Sequence, residues 1–405
     1  MSEWKEYKLG EVYEFASGLS KNRKEFGFGY DFVSYKDVMN NFFLPNKLTC
    51  LANTSDKERE RCSVKRGDVF LTRTSETYDE LGMSSVALKD YPDATFNGFT
   101  KRLRPNGKVE IWPEFAGFQF RSPRFRAAVT SMSSITTRAS LNNDMMSVLS
   151  IIIPSLDEQR NIADILFSFN EKIELNNRMN KTLEEIGQTL FKQWFIDFEF
   201  PDKEGNPYKS SGGEMVESEF GLIPEGWRIE KLGDLCNFNT GKLDSNKAEE
   251  NGKYPFFTCS PSTLKINCYA FDSEAILLAG NNASGIYNVK YYNGKFNAYQ
   301  RTYVITIKDI IKINYQFLYY FMDLNLNYLK DISVGSATKF LTLKMLNSIN
   351  IIIPKPNEVI AFYNVLKPML NLIMNNVIEN QSLSQIIDTL LPKLMSGEIS
   401  VKDIC

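Results

Sequence analysis

Residues 147–166 read SVLSIIIPSLDEQRNIADIL, and residues 347–366 read NSINIIIPKPNEVIAFYNVL. Ile-Ile-Ile-Pro stands at 151–154 and again at 351–354, so a chain of 405 residues turns the same corner twice. Three consecutive β-branched residues favour an extended strand, and the proline after them cannot continue a hydrogen-bonded ladder. Behind the first proline comes Ser155-Leu156-Asp157-Glu158, a capping-box pattern in which the hydroxyl caps the first turn and the glutamate reaches back. Behind the second comes Pro356, whose fixed φ suits a first helical turn. Each junction therefore reads as the last strand of a globule followed by a helix.

The helices are long. Apolar residues fall at 162, 166, 169, 173, 179, 183, 186, 190 and 194 after the first junction. After the second they fall at 359, 362, 366, 369, 373, 377, 383, 386 and 390. Steps of three and four mark one helix face, and 35–40 residues of helix reach roughly 50–60 Å. Asn176 is the sole gap in the first stripe, and Pro368 inside the second pattern should bend or interrupt its helix. A stripe that outruns a globule must be covered. The simplest cover is the other stripe, in an antiparallel coiled coil if the globules sit at opposite ends.

Reading outward from the junctions reveals a duplication. EWKEYKLGEV (3–12) matches GWRIEKLGDL (226–235) at an offset of 223, which also relates Gly18 to Gly241. GDVFLTR (67–73) resembles SEAILLA (273–279) at an offset of 206. ATFNGFTKRL (94–103) resembles GKFNAYQRTY (294–303) at 200, and that offset holds through both IIIP copies. VFLTR, VEIW, AILLA and TYVITI read as strands, while 113–129 and 313–324 read as helices. The expected fold class is α+β: two tandem mixed α/β globules separated by two long helices, with pseudo-twofold symmetry. The expected boundaries are a first globule at 1–155, a central helix at 156–198 and a polar linker at 199–224. A second globule follows at 225–355, then a distal helix at 356–396 and a tail at 397–405.

Composition narrows the function. The chain has no histidine, which removes imidazole bases, His-containing triads and HExxH metal sites. None of its six cysteines forms a Cys-x-x-Cys pair, so reduced thiols are expected. Gly280–Gly285 has the glycine spacing of a phosphate loop, but Ile286-Tyr287 stands where Lys-Ser/Thr is needed. Asn206-Pro207-Tyr208 lacks the second proline of an adenine-methyltransferase box, and neither Pro92-Asp93 nor Pro201-Asp202 is followed by the Asp/Glu-x-Lys of a nuclease. A charged N-terminus and short apolar runs point to a soluble, intracellular protein with no membrane partner. The net charge of −2 hides an asymmetry: residues 101–150 carry eight Lys/Arg against three Asp/Glu, and 251–350 carry ten against five. Residues 151–250 carry eleven against twenty. Two basic regions of that kind suit a polyanion.

Together these residues carry a family resemblance. A W-x-x-x-x-L-G-[ED] start opens each globule at Trp4 and Trp227, an IIIP strand closes it, and a long helix follows. The first helix ends in LFKQWFIDFEF (190–200), IPEGWRIEKLGDL introduces the second globule, and GSATKFLTLKML (335–346) precedes its closing strand. This resembles the specificity subunit of type I restriction–modification enzymes along essentially the whole chain. The resemblance implies a non-catalytic subunit that binds double-stranded DNA through two target-recognition domains, with the helices as a ruler between half-sites. It implies no cofactor in this chain. Two modification subunits would bring S-adenosylmethionine, and restriction subunits would bring ATP and Mg. The setting would be the cytoplasm of a bacterium or archaeon. A coiled-coil scaffold, or a solitary methyltransferase or nuclease, is the alternative reading.

Polar residues in equivalent loops are the candidate DNA contacts. In the first copy they are Lys21, Asn22, Arg23, Arg73, Thr74, Ser75, Lys101, Arg102, Arg138 and Ser140. In the second they are Lys242, Asn246, Lys247, Asn281, Asn282, Ser284, Gln300, Arg301, Ser336, Thr338 and Lys339. Arg, Lys, Asn, Gln, Ser and Thr are the side chains that reach base edges and phosphates. Phe191, Trp194, Phe195 and Phe198 at the end of the central helix are candidate partner contacts.

Overall fold

A computed structural model describes residues 4–75, 80–132, 139–282, 287–335 and 338–401. The chain forms two compact units, Met1–Asn176 with Val377–Cys405, and Asn177–Asn376. Each long helix is therefore shared between the units, its two halves contributing to different cores.

In the first unit the strand Ser150–Ile153 pairs antiparallel with Lys5–Lys8, so the globule's last strand closes on its first. Ile151 and Ile153 point inward and are buried, as period-two alternation requires. A four-stranded antiparallel sheet runs Tyr13–Ser17, Thr100–Pro105, Val69–Thr72, Ser84–Val86. A three-stranded sheet runs Cys50–Ala52, Phe26–Val33, Thr95–Phe96. The second unit repeats the plan with Asn350–Ile353 against Arg228–Lys231. Its main sheet has six strands: Cys236–Thr240, Thr302–Ile307, Phe271–Ala279, Val289–Ala298, Tyr254–Phe257 and Leu264–Ile266.

The helices span Leu156–Phe195 and Pro356–Ser396. Ser155 caps the first, its carbonyl taking the Gln159 N–H (2.9 Å) and its hydroxyl the Glu158 N–H (3.4 Å). The Gln159 side chain, buried at the junction, accepts from the Trp112 N–H (2.8 Å) and donates to the Pro154 carbonyl (3.0 Å). That bonding explains why VEIW (109–112) is not a strand: the Trp112 N–H and the Glu110 carbonyl are taken by Gln159 instead of a neighbouring strand.

Within the first unit Ile162, Ala163 and Leu166 share a core with Ile387, Leu391, Leu394 and Met395. Within the second, Phe191, Trp194 and Phe195 share one with Val359, Phe362 and Leu366. The start of each helix thus meets the end of the other, which is antiparallel packing. Pro368 does not interrupt the distal helix. Pro368 and the residue four before it, Asn364, are both exposed, so the carbonyl freed by the missing N–H faces water.

The seam turns polar midway. In the first unit Asn176, fully buried, donates to Asn380 Oδ1 (2.9 Å) and to Glu379 Oε2 (2.8 Å), which Lys172 also pairs at 3.2 Å. In the second unit Asn376, 5% exposed, donates to Asn180 Oδ1 (2.8 Å). Ile186 and Val377, expected on the stripe, are instead exposed, and Gly187 and Asn376 take the inward places. Asn376→Leu is expected to cost about 1–3 kcal/mol because Asn180 loses its donor. The Asn180→Leu/Asn376→Leu pair should recover most of it. Thermal unfolding checks this, and a double variant no better than the single would refute the pairing.

The segment 199–224 is folded. Met215–Ser218 and Gly221–Pro224 form a hairpin, and Phe198, Phe200 and Ile223 are buried. Phe200 stacks between Tyr208 (4.5 Å) and Trp227 (5.2 Å). Its polar letters are the exposed face of a structure held by three aromatic rings.

Candidate nucleic-acid interface

In each unit a tight turn and a two-stranded ribbon meet at one end of the main sheet. The first turn is Asn97-Gly98-Phe99-Thr100. The Thr100 N–H donates to the Asn97 carbonyl (3.0 Å) and the Gly98 N–H to the Leu19 carbonyl (2.8 Å). The Phe99 carbonyl accepts from the Arg73 N–H (2.9 Å). The second turn, Tyr299-Gln300-Arg301-Thr302, repeats every bond. Thr302 donates to Tyr299 (2.8 Å), Gln300 to Leu243 (3.0 Å), and Gly280 to Arg301 (2.8 Å).

The paired glycines of the two copies serve this contact. A Cβ on Gly18 would lie 2.2 Å from the Asn97 carbonyl oxygen, and one on Gly241 would lie 1.7 Å from that of Ala298. Only a residue without Cβ lets the preceding loop lie against the turn.

The ribbons are Thr74–Ser75 against Ala139–Ser140, and Asn281–Asn282 against Lys339–Phe340. They bring together candidates far apart in the chain: Arg73, Thr74, Ser75 and Ser140 in one unit, Asn281, Asn282, Thr338 and Lys339 in the other. The ribbons are tied to the turns, because Leu141 donates to the Arg73 carbonyl (2.8 Å) and Leu341 to that of Gly280 (2.9 Å). Cys259 adds a second tie, its thiol donating to Asn281 Oδ1 (3.0 Å) and to the Arg301 carbonyl (3.3 Å). Arg138, Ser284 and Ser336 lie outside the described residues.

The side chains differ in availability. Arg23, Ser140, Lys242, Asn246, Lys247, Gln300, Arg301 and Thr338 are exposed, while Arg73, Thr74, Asn281 and Lys339 are half-buried. Asn22 is exposed and caps a short 3-10 turn, its N–H donating to Glu25 (3.2 Å). Gln300 donates to Asp244 (2.5 Å), and Lys21 is held by Glu58 (2.9 Å) and Glu25 (3.6 Å). The hydrogen bond to Glu58 raises the Lys21 pKa, keeping it firmly cationic. Ser75 is buried and donates to Glu80 (2.7 Å).

Lys101 and Arg102 do not face outward. Lys101 is 6% exposed and donates to Ser17 (2.7 Å) and Asn143 (2.8 Å). Burial, and then the charge of Arg73, lower its pKa. Arg102 is 8% exposed and donates to the Ser63 carbonyl (2.6 Å). The reason is a slip of two residues in the alignment of the copies. Thr95 and Phe96 pair with Phe32 and Val33, while Asn297 and Ala298 hold the same parallel places beside Phe256 and Phe257. The true offset here is 202 (297 less 95) rather than 200. Lys101 and Arg102 therefore correspond to the strand residues Tyr303 and Val304, and the turn residue equivalent to Arg301 is Phe99. Phe99 is 57% exposed, and no pattern of charge could have found it.

The basic excess at 101–150 is largely internal as well. Arg104 pairs with the buried Asp68 (2.6 Å), Arg121 is spent on backbone carbonyls, and Arg126 donates to the Leu81 carbonyl. Phe191, Trp194, Phe195 and Phe198 are 1%, 6%, 3% and 8% exposed, so they build the second unit's core and are not offered to a partner. Among the described residues no cluster of His, Cys, Asp or Glu could hold a metal, and no helix is long and apolar enough to cross a membrane.

Residues 1–185 and 224–385 match the family described as the type I restriction modification DNA specificity domain. The MjaIX type I restriction enzyme specificity subunit of Methanocaldococcus jannaschii is 26% identical, over 99% of this chain and 95% of that one. The HindI specificity subunit of Haemophilus influenzae is 25% identical, over 98% and 100%. A shorter match, 36% identical, joins 44% of this chain to 40% of the EcoDI specificity subunit of Escherichia coli. The crystal structure of the S subunit of a type I system from M. genitalium shares the fold, with a TM-score of 0.54 at 16% identity over 97% and 96% of the two chains.

Proposed function

This chain belongs to the family of type I restriction–modification DNA specificity subunits, and on that premise we propose that it reads an asymmetric, bipartite DNA target, one half-site per unit. It is a non-catalytic component of its enzyme. The observation that carries the reading is the doubled turn-and-ribbon: one backbone built twice, with different side chains on each copy. Equal scaffolds bearing unequal polar groups suit two half-sites of unequal sequence. Exposed cations within about four residues of the turn-bound Leu19 and Leu243, Arg23 in the first unit and Lys242 and Lys247 in the second, suit phosphates.

The catalytic work belongs to partners. Two modification subunits carrying S-adenosylmethionine methylate adenine at the bound target, and restriction subunits driven by ATP and Mg cleave DNA. The assembly acts in the cytoplasm of a bacterium or archaeon. The helices space the half-sites.

Mapping methylated adenines in cells carrying the chain with its modification subunits tests this directly. The expected result is one bipartite motif with a single spacer length. Four residues inserted into both helices, about 6 Å of rise, should lengthen the spacer and leave both half-sites unchanged. Altered half-site sequences would overturn the division between reading and spacing. Methylation or cleavage by the isolated chain would point to a solitary enzyme, and the absence of any sequence-selective modification to a scaffold.

A further inference from the structure

The third residue of the doubled turn carries an aromatic ring in one unit and a guanidinium in the other, on a shared backbone. Phe99 and Arg301 stand at equivalent positions, each with its carbonyl fixed by an N–H from the end of the adjoining central strand, Arg73 in one unit and Gly280 in the other. The residue after each is a buried threonine, Thr100 and Thr302, so the turn is rooted in the sheet. Neither side chain is engaged. Phe99 is 57% exposed with no ring partner, and Arg301 is exposed with no ion-pair partner, among the described residues. Other cations have partners within their unit, Lys21 with glutamates, Lys101 and Arg102 with internal acceptors and Arg104 with Asp68, whereas Arg301 joins Arg23, Lys242 and Lys247 among the exposed ones.

A rigid backbone that presents a free side chain suits recognition, because little ordering remains to be done on binding. A guanidinium so placed matches the O6 and N7 acceptors of guanine through two parallel N–H donors. A phenyl ring has no donor and can only make apolar contact, for which the major groove offers the thymine methyl.

We propose that position three of this turn is a specificity-determining position in both units: Arg301 reads a guanine in one half-site, and Phe99 contacts a thymine methyl in the other. The proposal rests on the DNA-reading function above and assigns a base to each residue.

The test uses the full chain with its modification subunits, with methylome mapping and duplex binding as readouts. Arg301→Ala should lose the preference for guanine at one position of one half-site, by about ten- to a hundredfold, and leave the other half-site unchanged. Phe99→Arg should replace thymine by guanine at one position of the other half-site. Both side chains are exposed, so melting temperatures should stay at the wild-type value. If Arg301→Ala weakens binding equally for all sequences and keeps the motif, Arg301 is a phosphate contact and the proposal falls. An unchanged motif with unchanged binding overturns it too, while the DNA-reading function stands. Should the unaltered chain direct no sequence-selective methylation, the functional reading itself fails. Should Arg301→Ala abolish all modification, Arg301→Gln decides: an amide pairs with adenine N6 and N7 in place of guanine O6 and N7, so a base reader shifts from guanine to adenine at that one position, and retention of the full motif by the glutamine variant overturns the assignment.

Discussion

Arg121→Met is expected to destabilise the first unit by about 3–5 kcal/mol. The guanidinium donates to four backbone carbonyls: Ser84 (2.8 Å), Val38 (3.0 Å), Met39 (2.9 Å) and Asn41 (2.9 Å). It also lies 4.8 Å from the centre of the Phe42 ring. Methionine fills similar space but donates nothing, so several carbonyls would be left without a partner in a region that water reaches poorly. Burial, and then the charge of Arg126, lower the Arg121 pKa to about 10, so the group still carries its charge at neutral pH and its hydrogen bonds are charge-assisted. The control is Arg124→Met. Arg124 is largely exposed and, among the described residues, pairs with Glu6 alone, at 3.2 Å, so its loss should change stability by less than about 1 kcal/mol. Urea unfolding, followed with hydrogen exchange in Ser84–Val86, separates the two. An Arg121 variant within 1 kcal/mol of the parent would mean that water substitutes for the guanidinium, and the internal role assigned to this cation would be wrong.

Phe362→Ala should cost the second unit about 3–5 kcal/mol. Phe362 is fully buried where the start of the distal helix meets the end of the central one. Its ring centre lies 4.9 Å from Phe195, 5.6 Å from Trp194, 5.9 Å from Phe191 and 6.2 Å from Tyr320. Alanine removes the shared member of four aromatic contacts and leaves a cavity among rigid rings that cannot easily collapse. Trp194 and Trp227 belong to the same core, so tryptophan fluorescence should report the loss at lower denaturant than in the parent. The repeat supplies a comparison: Ile162 holds the corresponding place in the first unit and is 1% exposed, and Ile162→Ala should cost less because it removes a smaller side chain. Equal costs would show that the aromatic cluster adds nothing beyond buried area.

Much of this was legible from residues alone. The IIIP junctions, both long helices and the duplicated order of landmarks are local signals: β-branched runs, a capping serine, apolar spacing of three and four. The glycines at 18 and 241 were visible as a match, though not as the gap through which a loop meets a turn. The misplacement of Lys101 and Arg102 came from a plausible letter match, Phe-Asn with Phe-Asn, that strand register shows to be two residues out. Register is set by backbone pairing and by which face is buried, and neither is written in the identity of two letters. The aromatic end of the central helix was ambiguous for a similar reason. An apolar surface looks the same in sequence whether it meets a partner or its own chain.

The sequence by itself therefore determined the architecture: two α+β globules, two long helices, no histidine chemistry and a family to which the doubled motifs belong. Tertiary structure alone decided which charges are free. Arg102, Arg104 and Arg121 have the same chemistry in the sequence as Arg301, yet the first three are consumed by carbonyls and a buried aspartate, and the fourth is exposed. The physical reason is that a donor's availability depends on what lies within about 3 Å of it. That neighbourhood is assembled from residues tens of positions away, which no local pattern encodes.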